Sequence, residues 1–243
     1  MGCGTKKLEN SISRLNEKNE YMFNTLKSMS TILAYTEKLV KDQTNEFICT
    51  KEIDTSHINL IWVVTTVCTN IYNVLGAVYK SEKFTVNIYV RENKDGKEYA
   101  NMAAHEGQVS DPSVFGQMHL LKKSKNMRFS DKILYNNKPD RKIFINRQQV
   151  ARAFGKEEKS CKYNQYIGIP IRKYGEDNIA LIEIVVHNSS IIWNSKEDAE
   201  CFAILCCDIF KEYLLLVDRI QELDTTIKVG FEDSSNEGGE CNA

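Results

Sequence analysis

The chain has 243 residues, 42% of them hydrophobic and 27% charged, and its formal net charge at pH 7 is −1. That composition fits a folded protein of one large domain, or one medium domain with extensions, and excludes a chain that binds nucleic acid through overall charge. Three prolines and twelve glycines argue against a loop-rich all-β fold, and no apolar run reaches the roughly 18 residues that span a bilayer.

The polar start carries no secretory signal, and Lys6 stands where acylation at Gly2 would want Ser or Thr. A cytoplasmic location without membrane attachment is therefore expected. Residues 6–43 are read as one long helix. Leu8, Leu15, Met22 and Met29 recur every seven residues, and Ile12, Asn19, Leu26, Leu33 and Val40 form the companion row. Such a seam serves either a homodimer of coiled-coil type, with Asn19 fixing register, or an amphipathic helix packed on its own domain. A second helix is expected over 54–79, with Ile58, Ile61, Trp62, Thr65, Cys68, Ile71, Tyr72, Leu75 and Tyr79 on its buried face.

"FTVNIYVREN" then alternates like a strand, Asp95-Gly96 signals a tight turn, and "KEYANMAA" returns as its partner. The middle, 105–164, is irregular. "PSVFGQMHLLKK" (112–123) is expected to be a short helix and "RKIFIN" (141–146) a short strand. "NRQQVARAF" is a further helix with Asn146 as N-cap. "YNQYIGIPIRK" and "IALIEIVVH" are strands apolar enough to be covered on both faces, joined by a turn at "YGEDN". Asn194 or Ser195 caps a last helix whose first turn holds Glu197, Asp198 and Glu200, with a buried stripe of Leu205, Ile209, Phe210, Tyr213, Leu216, Val217 and Ile220. Residues 225–243 are acidic and Gly/Ser-rich, the composition of a disordered tail.

Helix, hairpin, irregular middle, hairpin, helix is an order that resembles the GAF family of sensor domains over about residues 50–224. Three stretches carry the likeness: "NQYIGIPIR", "IALIEIVV" and "WNSKED", in which Trp193, Glu197 and Asp198 stand for the family's F-x-x-x-D-E opening of its last helix. The resemblance implies an α+β fold: a central antiparallel β-sheet flanked by helices, here preceded by a long N-terminal helix. It divides the chain into a dimerisation and signalling helix (1–49), a GAF-like sensor domain (50–224) and a tail (225–243). Nucleotide-binding members often carry Asn-Lys just before the Phe of that opening; this chain has "HNSS" there, without the Lys.

Charge is distributed unevenly. Residues 121–173 hold fifteen Lys or Arg against four acids, an excess of eleven in a chain near neutrality. A solvated basic face would account for this. So would an anion site, because a local surplus focuses positive potential. In a GAF-like domain this segment would cover the ligand pocket, where Phe129, Phe144, Phe154, Tyr163 and Tyr166 are placed to stack a base and Arg128, Arg152 and Arg172 to fork onto a phosphate. His105, at the end of the second strand, could face the same pocket.

Other chemistry is thin. The four histidines lie on separate elements, and no phosphate-binding loop or nucleophile elbow occurs. The eight cysteines show no C-x-x-C, so a zinc site is not expected; Cys68, Cys201 and Cys206 fall within helical apolar spacing and are expected to be buried free thiols. No cofactor is expected. The reading is a non-enzymatic sensor subunit that binds a small anionic ligand, a nucleotide or cyclic nucleotide foremost, and signals through its helices to a separate effector protein. Competing readings are a nucleic-acid-binding module, a protein scaffold, and a GAF-type reductase of free methionine sulfoxide using pocket cysteines.

Overall fold

The computed structural model describes residues 9–20, 23, 60–107, 118–124, 127–172, 177–208, 211 and 214–215. Helix α1 covers residues 9–20. The remainder of the expected N-terminal helix, the first residues of the second, and the tail lie outside the described residues.

Helix α2 (Leu60–Val78) buries Val63, Val64, Val67, Cys68, Ile71, Val74 and Leu75. These recur at steps of three and four, which puts them on one helical face. Thr65, expected on that face, is exposed. The helix is apolar around much of its circumference, so several phases of the stripe fit the sequence. The Cys68 thiol donates to the Val86 carbonyl at 3.3 Å, and burial pushes its pKa up. It is packing material rather than a nucleophile.

Strands β1 (Phe84–Lys94) and β2 (Lys97–Gly107) form the expected hairpin. Asp95 and Gly96 both have positive φ, 53° and 69°, the backbone a two-residue type I′ turn requires. Strand β3 (Met118–Leu120) pairs with β2, so within 112–123 residues 118–120 form a strand and 121–123 no regular element, in place of the expected helix. Helix α3 (Phe129–Tyr135), where no element was expected, buries Ser130, Asp131, Ile133 and Leu134. Strand β4 (Lys142–Phe144) is followed by helix α4 (Arg147–Phe154), whose N-cap Asn146 accepts from the Gln149 amide at 3.0 Å.

Strands β5 (Tyr163–Arg172) and β6 (Asn178–His187) complete one antiparallel sheet in the order β3-β2-β1-β6-β5-β4. Helix α5 (Lys196–Phe202) is capped by Ser195, which accepts from the Asp198 amide at 3.1 Å, and runs on into a π-helical turn, Ala203–Cys207. Its buried residues are Ala199, Phe202, Ala203 and Cys207, with Leu214 beyond. Of the stripe expected there, the side chain of Leu205 and all of Ile209, Phe210, Tyr213, Leu216, Val217 and Ile220 lie outside the described residues. Cys207 is buried, Cys201 is half-buried rather than buried, and Cys68, Cys161, Cys201 and Cys207 are free thiols.

Both sheet faces are covered, as the apolar runs of β5 and β6 implied. Phe84, Val86, Ile88, Ile167, Ile169, Ile182 and Ile184 pack with α2, α5 and Trp193 on one side. Tyr89, Met102, Tyr166, Leu181 and Val185 pack with α3 and α4 on the other. Buried Gln165 ties the sheet to the start of α5. Its side chain donates to the carbonyls of Ile145 (3.1 Å) and Trp193 (2.5 Å) and accepts from the amides of Ile192 (2.8 Å) and Trp193 (3.1 Å). No helix among the described residues is long and apolar enough to cross a membrane.

Candidate functional site

The face opposite α2 carries the polar chemistry, and strand register assembles it. His105 on β2 stands across from Asn87 on β1, Asn87 across from Glu183 on β6, and Glu183 across from Gly168 on β5. One cross-strand row therefore spans four strands, with a carboxyl near its middle.

Glu183 is 5% exposed. Its Oε2 accepts from Asn87 Nδ2 at 2.9 Å and from the Tyr89 hydroxyl at 3.3 Å. Burial pushes the carboxyl above the usual carboxylate range, and the hydrogen bonds and the Arg128 charge pull it part of the way back. Because Asn87 spends its amide nitrogen on Glu183, its Oδ1 is the acceptor in the 2.7 Å contact with His105 Nδ1. His105 is therefore protonated at Nδ1. Burial lowers its pKa against the opposing pull of the Gly107 backbone and the Glu106 charge, which favours the neutral ring, and Nε2 is buried without a hydrogen-bond partner.

The next row holds Tyr166 on β5, fully buried. Its ring lies back over Gly168: a Cβ there would sit 2.6 Å from the phenol oxygen. The hydroxyl is turned toward Glu183, but outside hydrogen-bond geometry, and is otherwise unpartnered. Above it lie Phe129 (5.3 Å between ring centroids), Phe154 (5.4 Å) and Phe144 (5.8 Å), with Tyr163 against Phe154 (5.9 Å). Edge-on and tilted rings at these separations are favourable aromatic contacts.

Helix α3 brings Arg128 to this face. Its guanidinium lies 5.8 Å from the Tyr89 ring centre and grips Asp131 with Nε (3.0 Å) and Nη2 (3.2 Å). The far end of α3 is held by Asn178, whose amide nitrogen donates to the carbonyls of Ile133 (3.1 Å) and Lys138 (3.2 Å). Arg91 donates to Asn137 (2.9 Å) and pairs with Asp177 (3.0 Å). The face thus combines an aromatic wall, one arginine, and a floor on which His105 Nε2 and the Tyr166 hydroxyl stand unpartnered.

Of the nine residues singled out from sequence, seven converge here: His105, Arg128, Phe129, Phe144, Phe154, Tyr163 and Tyr166. Arg152 is exposed on α4, and Arg172 is half-exposed at the end of β5, opposite Asn178. Much of the basic surplus is spread over the outside: Lys122, Lys123, Lys138, Lys156, Lys159 and Lys162 are exposed, and Arg141 is paired with Asp208. Asn87, Tyr89, Gly168 and Glu183 were missed from sequence. The signal for Glu183 was present, as the single acid inside "IALIEIVVH". No cluster of three or more His, Cys, Asp or Glu suited to a metal ion occurs among the described residues.

An antiparallel six-stranded sheet with long helices on one face and short helices over a polar, aromatic face is the GAF-like α+β fold. One solved structure agrees. A Burkholderia vietnamiensis protein described as a GAF sensor superposes with a TM-score of 0.50 at 12% identity, covering 84% of this chain and 98% of that one. The PixJ GAF domain of Thermosynechococcus elongatus, in its blue-light absorbing form, gives 0.44 at 12% identity over 73% of this chain and 96% of that one. The type II free methionine-R-sulfoxide reductase of Thermoplasma acidophilum gives 0.40 at 18% identity over 64% and 95%. No protein-family model and no curated protein matches the chain.

Proposed function

We propose that this chain is a non-enzymatic sensory domain. It binds a small ligand on the Arg128–Tyr166 face and passes the event to a separate effector protein through its terminal helices. The ligand carries an anionic group, as a nucleotide or cyclic nucleotide does, directed at Arg128, and a hydrogen-bond donor directed at the floor. The observation that carries the reading is the polar row His105–Asn87–Glu183 under an aromatic wall. Desolvating this row costs stability that its internal hydrogen bonds only partly return, and an apolar floor would pack more cheaply. Among the described residues, Cys161 is the cysteine that packs in this cluster, and it donates its thiol to the Tyr163 carbonyl at 3.4 Å, which favours binding over cysteine redox chemistry.

The test is a thermal-shift screen of nucleotides, other phosphates and carboxylates, since a ligand that binds only the folded state raises the melting temperature. Arg128→Ala should weaken the binding of a hit roughly 10- to 150-fold, the equivalent of about 1.5–3 kcal/mol for a charged hydrogen bond. Arg152→Ala should leave it nearly unchanged. Stabilisation by long nucleic acid alone, with a steep salt dependence, would transfer the function to the exposed lysines. Absence of a shift with every small anion at millimolar concentration overturns the proposal.

A further inference from the structure

Strand β3 brings a second histidine to the Arg128 face. Met118 and Leu120 are exposed and His119 between them is half-buried, so strand alternation turns the imidazole inward. Register sets His119 across from Ala100 on β2, and Ala100 across from Arg91 on β1. The side chain of Ala100 offers the ring no hydrogen bond, and Nε2 of His119 is buried without a partner. Arg128 and Asp131 on α3 are close enough to bear on its charge. Arg91, one strand beyond Ala100, is spent on Glu98 (2.7 Å), Asn137 (2.9 Å) and Asp177 (3.0 Å).

The Arg128 guanidinium is not a free charge. Its Nε and Nη2 are bonded to Asp131, itself 4% exposed, which leaves Nη1 for a ligand and offsets the charge of the pair. An anion seated at Nη1 therefore brings a negative charge that the ligand-free face does not balance, and an unbalanced buried charge is costly. Resting on the ligand-binding function proposed above, we propose that His119 is the second anion-binding residue of this face, and that its ring takes up one proton from solvent as the anion binds. The imidazolium donates from both ring nitrogens, so Nε2 gains its missing partner in a ligand oxygen.

Without ligand, burial and the Arg128 charge hold the His119 pKa below its ordinary value, while Asp131 opposes them. An anion between Arg128 and His119 adds negative charge beside the ring and raises that pKa. The coupling is reciprocal, so protonation of His119 tightens the anion by the same factor. Binding should therefore strengthen as pH falls, by about tenfold per pH unit between the bound and free pKa values, and level off below the free one. His105 and Glu183 belong to the Asn87 row, two same-face positions along β1 from Arg91, and both are already bonded to Asn87.

Sulfate is the probe, because it stays doubly charged from pH 5 to pH 8. Titration calorimetry of the full chain in two buffers of different ionisation enthalpy should count uptake of close to one proton per sulfate, with the affinity rising about tenfold from pH 8 to pH 7. His119→Gln should abolish the uptake and flatten the pH profile. The imidazole resonance of His119, assigned with that variant, should titrate below 6.5 in the free chain and move upward with sulfate. It should also move upward in Arg128→Gln without any ligand. Sulfate bound with no proton uptake overturns this inference and leaves the ligand-binding function standing. So does uptake that persists in His119→Gln, or that vanishes in His105→Gln instead. A His119 resonance indifferent to Arg128→Gln overturns it without any ligand being bound. Failure of sulfate and of every other small anion to bind overturns the inference and the function together.

Discussion

Gly168 is where the packing of the candidate site can be tested most directly. A Cβ on this residue would lie 2.6 Å from the Tyr166 phenol oxygen, 2.8 Å from Cε1 and 3.0 Å from Cζ. Relief would require one group to move by a good fraction of an ångström, and neither can do so easily. Gly168 is held between Lys142 on β4 and Glu183 on β6. Tyr166 has 0% exposure and is enclosed by Phe129, Phe144 and Phe154. Gly168→Ala should therefore act as an overpacking change and cost about 2–3 kcal/mol. In a chain of this size that corresponds to a loss of about 4–12 °C in melting temperature.

A double-mutant cycle assigns the cause. Tyr166→Phe removes only the closest of the three contacts and should recover part of the loss. Tyr166→Ala is costly by itself, but in its background Gly168→Ala should be neutral or gain roughly 0.5–1 kcal/mol, because Ala loses less conformational freedom than Gly on folding. Chemical denaturation of the four variants measures the coupling. If Gly168→Ala costs under about 0.5 kcal/mol, or the same amount with and without the Tyr166 ring, the aromatic lid is not where the structure puts it.

Glu183→Gln should stabilise the protein at pH 8 and lose that advantage toward pH 5. Burial raises the folded-state pKa of Glu183 above its usual 4.5, so its contribution is fully present below that value and is lost as pH rises through the raised one, whereas Gln does not titrate. Melting curves across that range check the slope, and parallel pH profiles for the two proteins would refute the burial of the charge. Gln165→Ala should cost roughly 3–5 kcal/mol by stranding the amides of Ile192 and Trp193 and the carbonyls of Ile145 and Trp193. Denaturation measures this, and a loss under about 1 kcal/mol would mean that solvent replaces the side chain.

The elements legible in the sequence are those with a local physical cause. Asp95-Gly96 specifies its turn, Asn146 and Ser195 cap their helices, and the apolar runs of β5 and β6 report coverage on two faces. The misreadings have tertiary causes. Strand β3 is three residues long with Met118 and Leu120 exposed; the ladder with β2 makes it a strand, and three residues show no usable period. Helix α3 starts at Arg128 without a side-chain cap and is held by burial of Ile133 and Leu134 and by Asn178.

The candidate site was half legible for a related reason. Counting cations pointed to the correct segment but not to the correct residues, because the long stems of Lys and Arg reach water from almost any backbone position. Arg152 and the lysines around it do so, and among the described residues only Arg128, turned inward by α3 and held by a 4% exposed Asp131, joins the face. A short acidic side chain on a strand covered on both faces has no route to solvent. Glu183 in "IALIEIVVH" and Asn87 in "FTVNIYV" must each find a partner inside, and strand register makes them partners of one another. A lone polar residue in a doubly covered strand is therefore a sharper pointer to the site than a charge surplus spread over loops, because burial forces it to be paired whereas a surface charge need not be.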